Sequence, residues 1–273
     1  MTQHRNRSGR IMALAIVAIL LVMGHGPATT VAQADGQLTI GVAANFTRAM
    51  QALAGAFEQQ RGRPVSLSFA STGTLYAQII NGAPFDAFFA ADVERPRKLE
   101  EDGAIIEESR FTYAIGQLIL WSAAPDLVDS GGDVLQHRDF RHLAIADPKL
   151  APYGEAARQV MVKRGVWDEL QSRLVFAQNV NQAYQFITSG NAELGFIALS
   201  QVIDPDTGGV GGSHWPPPQQ TYDPVEQQAV ILERTEHGEL AEAFMAFVRG
   251  EQGTEIIGRF GYAVPEADES SID

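Results

Sequence analysis

Four short stretches of this sequence combine small residues with uncharged hydrogen-bond donors, each where an apolar run gives way to a helical period. They are Gly41–Phe46 (GVAANF), Ala70–Gly73 (ASTG), Asp147–Gly154 (DPKLAPYG) and Gln178–Asn181 (QNVN). A helix that starts at such a turn exposes its first N–H groups and roughly half a positive charge. Several starts converging on one cleft make an anion site without a formal cation. Asn45, Ser71 and Thr72 add neutral side-chain donors. Each has a plainer role, because Asn, Ser and Thr are favoured N-caps whatever the helix does, and Tyr153 alone could be a packed aromatic with its hydroxyl in water. The functional reading rests on the four turns occurring together. A shell made only of donors suits an anion with no proton left on it. A protonated oxyanion brings an O–H that needs an acceptor, and an unpaired buried donor costs about 1–3 kcal/mol. The expected guest is a fully ionised tetrahedral dianion.

The elements that must position these turns alternate between strand and helix. Gln37–Ala43, Val65–Phe69 and Asp86–Ala90 read as strands. Phe46, Met50, Leu53 and Phe57 share one face of a helix that ends near Gly62, and Leu75, Ile79 and Ile80 start another. Pro96 to Asp102 reads as a third helix. Phe111–Trp121 is one long strand-like run with Gly116 in its middle. A second βαβαβ unit follows: strands at Leu143–Ala146, Leu174–Ala177 and Leu194–Leu199, with helices opening at Pro152 and at Asn179-Val180-Asn181. Asp204–Asp223 reads as a Gly- and Pro-rich loop, Gln227–Leu232 as a strand, and Glu239–Val248 and Glu251–Phe260 as two closing helices. This rhythm predicts an α/β fold of two lobes, each a mostly parallel sheet flanked by helices, with a cleft between them. Ligands of open α/β sheets sit beyond the carboxyl ends of the strands, where all four turns fall. The expected division is 35–115 for the first lobe, 116–226 for the second, 227–265 as a return to the first, and 266–273 as a disordered acidic tail.

Residues 1–34 read as a secretory signal peptide. Arg5, Arg7 and Arg10 precede an apolar run of 13 residues, Ile11–Met23, and Ala32-Gln33-Ala34 supplies a small-x-small cleavage pattern. That run spans about 20 Å as a helix, short of a hydrocarbon core of about 30 Å. Cleavage would leave 239 of the 273 residues and move the formal charge from −13 to −16. The expected product is exported to the periplasm. The absence of cysteine excludes a disulfide scaffold and a thiolate metal site or nucleophile. The acidic balance argues against nucleic acid as a partner.

The blocks GVAANFTRAM, SFASTGTLYAQIINGAPFDAFFAAD, RFTYAIGQLILWS, IADPKLAPYGEAARQV and LGFIALSQ, taken in order, resemble the molybdate-binding proteins of bacterial molybdate ABC transporters. The resemblance runs from Leu38 to about Pro265 and is most specific between Ser68 and Asp92. It implies the two-lobed periplasmic binding protein fold, capture of molybdate or tungstate, delivery to a membrane permease, a monomer, no catalysis and no cofactor. It also implies site roles: Asn45 and Thr72 as side-chain donors, Tyr153 and Val180 as main-chain N–H donors, with Ser71 and Ala44 adjoining them. Other branches place a tyrosine donor where this chain has Ala198, which leaves the Tyr153 hydroxyl as a candidate replacement.

Three other readings compete. Sulfate is another tetrahedral dianion, separated from a larger metal oxyanion only by cleft size. Ferric iron would draw on Tyr76, Tyr153, Tyr184 and Tyr222 and would suit the negative charge, but no adjacent tyrosine pair occurs. An exported hydrolase would need a nucleophile, and Ser71 is not in a G-x-S-x-G elbow. His137 and His142 are five residues apart, off the spacing of a helical zinc pair. The chain also lacks a phosphate-binding G-x-x-x-x-G-K-[ST] loop.

Overall fold

The computed structural model describes residues 36–265 apart from Arg138. The expected signal peptide and acidic tail lie outside the described residues. In chain order, β1 (Leu38–Ala43) leads through a 3-10 turn (Ala44–Phe46) into α1 (Thr47–Arg61), β2 (Val65–Ala70) into α2 (Thr72–Ile80), and β3 (Ala87–Phe89) into α3 (Glu94–Glu101). Next come β4 (Phe111–Gly116), β5 (Leu118–Ser122), α4 (Val134–His137), β6 (Leu143–Ala146), α5 (Pro152–Lys163) and α6 (Trp167–Leu170). The chain then forms β7 (Leu174–Ala177), α7 (Val180–Thr188), β8 (Leu194–Ala198), β9 (Ser213–Trp215), β10 (Val225–Ile231), α8 (Gly238–Arg249) and α9 (Glu251–Arg259).

Two five-stranded sheets result, ordered β2-β1-β3-β10-β4 and β7-β6-β8-β5-β9. In each, four strands run one way and one runs against them. β10 is antiparallel to both β3 and β4, and β5 is antiparallel to both β8 and β9. The reversed strands are the ones that enter each sheet from the other, so their direction follows from the crossing. The run Phe111–Trp121 is therefore not one strand. It breaks at Gln117, and its halves pair in different sheets. The segment expected to be wholly loop, Asp204–Asp223, contains β9, whose Trp215 and His214 pair with Leu120 and Trp121. α4 and α6 are four residues each, too short to show a period in the sequence.

Each sheet carries its own core. Along α1 the spacing of Ala49, Met50, Leu53 and Phe57 buries one face against the first sheet and α8. The Phe57 and Phe244 rings meet edge-on at 5.0 Å between centroids. Gly62, at φ 63°, stops α1 by taking the left-handed conformation that a side chain disfavours. In the second lobe Ala156, Ala157, Val160 and Met161 of α5 and Val180, Ala183 and Ile187 of α7 pack on β6 and β8. Both cores are built so that the carboxyl ends of β1, β2, β6 and β7 open toward the space between the sheets.

Candidate functional site

The four helix starts meet. One small cavity is lined by Ala43, Ala44, Asn45, Ser71, Thr72 and Ala91 from the first lobe. Ala151, Pro152, Tyr153, Asn179 and Val180 line it from the second. All six residues singled out in the sequence, Ala44, Asn45, Ser71, Thr72, Tyr153 and Val180, are on its wall, and each is buried. None of the lining residues is charged.

Local structure sets what each turn offers. Ser71 is the N-cap of α2, its Oγ accepting from Thr74 N–H at 3.3 Å and lying 2.7 Å from Thr74 Oγ1. Thr72 Oγ1 accepts from Ala91 N–H at 3.0 Å. That contact uses a lone pair and leaves the Thr72 hydroxyl hydrogen available to a guest. Asn179 caps α7 by accepting from Gln182 N–H at 3.0 Å, so the N–H groups of Val180 and Asn181 stand at the open end of the helix. α5 starts with Pro152, which has no N–H to offer, and Tyr153 is the first residue that does. Gly154 has to be glycine, because a Cβ there would lie 2.2 Å from Ala146 O at the end of β6.

Asn45 is tied into its own lobe. Both of its amide hydrogens are committed within the first lobe, to Gln227 Oε1 at 2.8 Å and to Tyr262 Oη at 3.1 Å. The turn it shares with Ala44 lines the cavity. The sequence reading missed these partners. Gln227 is fully buried in β10 between the exposed Glu226 and the buried Gln228, and a polar run inside a strand that continues as Ala229-Val230-Ile231 is the signal that could have found it. Tyr113 Oη donates to Gln227 Oε1 at 3.0 Å, and Gln227 Nε2 donates to Tyr153 Oη at 3.4 Å. The Tyr153 hydroxyl also faces Gly116, where a Cβ would lie 2.0 Å from it. Neither Gln227 nor Gly116 lines the cavity, so this hydroxyl sits at the strand crossing. Ala198 is buried in β8 and is not on the cavity wall. Burial pushes the Tyr113, Tyr153 and Tyr262 hydroxyls well above the ordinary phenol range, so they stay neutral.

The lobes touch around the cavity. Gly73 N–H donates to Leu150 O at 2.9 Å, Asn181 Nδ2 to Thr47 Oγ1 at 2.9 Å, and Ser200 Oγ to Asn45 O at 2.9 Å. The arrangement can do one thing well: surround a small anion with fixed, uncharged donors from both sides and exclude water. Among the described residues no three His, Asp or Glu side chains converge as metal ligands.

The chain is similar to known proteins. The family model described as bacterial extracellular solute-binding protein matches residues 38–263. The molybdate-binding protein ModA of Azotobacter vinelandii is 45% identical over 253 residues, covering 93% of this chain and all of that protein. The molybdate-binding protein ModA of Rhodobacter capsulatus is 44% identical over 245 residues, covering 90% of this chain and 94% of that one. Among solved structures, the Azotobacter vinelandii periplasmic molybdate-binding protein superposes with a TM-score of 0.82 at 46% identity, covering 84% of this chain and 100% of that one.

Proposed function

Because the chain belongs to the bacterial extracellular solute-binding proteins, in the branch that holds the molybdate-binding proteins, we propose that it captures molybdate between its lobes and hands it to the permease of an ABC transporter. It acts by binding, not by catalysis. The observation that carries the reading is the convergence of four helix N-termini on one uncharged cavity. The dianion's negative charge is met by N–H dipoles and by the Thr72 hydroxyl in a dry space where each contact is strong. Monohydrogen phosphate is disfavoured because the wall offers its O–H no carboxylate. Sulfate has the right charge but shorter bonds to oxygen, so it reaches fewer of the donors at once and is expected to bind more weakly. Tungstate matches molybdate in charge and shape and binds with it. Ala44, Asn45, Tyr153 and Val180 contribute main-chain N–H groups, Thr72 its hydroxyl, and Ser71 holds the start of α2. The protein works as a monomer in the periplasm, reached through the leader at residues 1–34.

Ligand contacts from both lobes exist together only when the cleft is shut, so the anion shifts the population toward the closed form. Calorimetric titration with molybdate, tungstate, sulfate and phosphate tests the reading. Tight binding of the first two and weak binding of the others is expected. Sulfate binding as tight as molybdate would overturn it.

A further inference from the structure

On one side of the cavity the closed cleft is held by groups that do not line the cavity. Arg48, one helical turn beyond Asn45 on α1, is half-buried and reaches across the cleft. Its Nη1 donates to Ser200 O at 2.9 Å and to Ile203 O at 2.8 Å, both just past the end of β8 in the second lobe. On its own lobe the guanidinium lies 5.2 Å from the centroid of the Phe260 ring. Two carbonyls at the end of a 3-10 turn carry partial negative charge, and a guanidinium answers both at once. None of Arg48, Ser200, Ile203 or Phe260 lines the cavity.

We propose that Arg48 is an affinity-setting clamp: it stabilises the closed form by a fixed amount whichever oxyanion is inside. Apparent affinity equals intrinsic affinity multiplied by the fraction of protein in the competent form. A residue that favours closure without touching the guest raises affinity for every guest by the same factor. Discrimination is left to the cavity wall. The proposal rests on the reading that the cleft captures an oxyanion.

Arg48→Met tests it, since methionine keeps an apolar stem against Phe260 and removes both donors. Molybdate and tungstate should weaken by the same factor, about tenfold, through faster release, with the urea midpoint of the ligand-free protein unchanged. Arg48→Lys should recover part of the loss, because one ammonium can reach a carbonyl. Unchanged affinity, a loss that differs between the two anions, or a loss matched by lower stability of the ligand-free protein would each overturn the proposal. The chain has no cysteine, so dyes on Ile80→Cys and Val162→Cys, both exposed and one on each lobe, report closure independently. If the wild type closes on none of the four anions, the functional reading fails. The closed fraction of the ligand-free wild type, compared with Arg48→Met, then decides the clamp alone: a smaller fraction in the variant upholds it and an equal one overturns it.

Discussion

Thr72 joins two jobs in one oxygen: it accepts the Ala91 N–H and keeps its own hydrogen for the guest. Thr72→Val keeps the shape and loses both, so molybdate affinity should fall by about 1.5–3 kcal/mol, the range for a hydrogen bond to a charged group. Thr72→Ser retains the hydroxyl and should bind within a few-fold of wild type by calorimetry. Wild-type affinity in Thr72→Val would show that the hydroxyl does not serve the guest. The buried tyrosines set a second expectation at this scale. Burial raises the Tyr113, Tyr153 and Tyr262 pKa values above the unfolded value of about 10. Above that pH the unfolded chain releases protons that the fold retains. Stability from these groups is complete below about pH 10 and declines as pH rises beyond it. Urea midpoints should drop from pH 9 to pH 11, and less steeply in Tyr113→Phe.

At the scale of elements, two glycines at helix starts separate closure from folding. Gly73 lies in the first turn of α2, and a Cβ there would be 2.9 Å from Leu150 O, an atom of the opposite lobe. In the open form that clash does not exist, and alanine is the better helix former by about 1 kcal/mol. Gly73→Ala should leave or raise the melting temperature of the ligand-free protein while weakening molybdate binding at least tenfold. Gly154 clashes instead with Ala146 O within its own lobe, so Gly154→Ala should lower stability in both forms. The same distinction explains what was legible in the sequence. Helix starts are local: Ser71 and Asn179 announce α2 and α7 by capping chemistry, and the four turns that line one wall are legible from their own residues. The break at Gln117 and the pairing of β9 with β5 are not local. They depend on which sheet a segment joins. The amide partners of Asn45, Gln227 and Tyr262, are not local either: they lie 182 and 217 residues away.

The whole molecule presents a contradiction between range and contact. Its formal charge is −13, yet its cavity is built to hold a dianion. At long range the net charge repels the ligand; at contact the fixed dipoles attract it, and these are shielded from salt by burial. The two effects fall on different rate constants. Encounter occurs in solvent, so screening by sodium chloride should raise the association rate severalfold between about 10 mM and 300 mM, the span over which the Debye length shrinks from about 30 Å to under 10 Å. Release starts from the closed cleft, where no mobile ion reaches the donors, so the dissociation rate should stay constant. Affinity should therefore rise slightly with salt, the reverse of a site made from exposed lysines and arginines. Stopped-flow measurement of both rates on the tryptophan signal decides the matter: an association rate that falls with salt would place cations at the entrance, and a dissociation rate that climbs with it would mean that the anion is held by groups open to solvent.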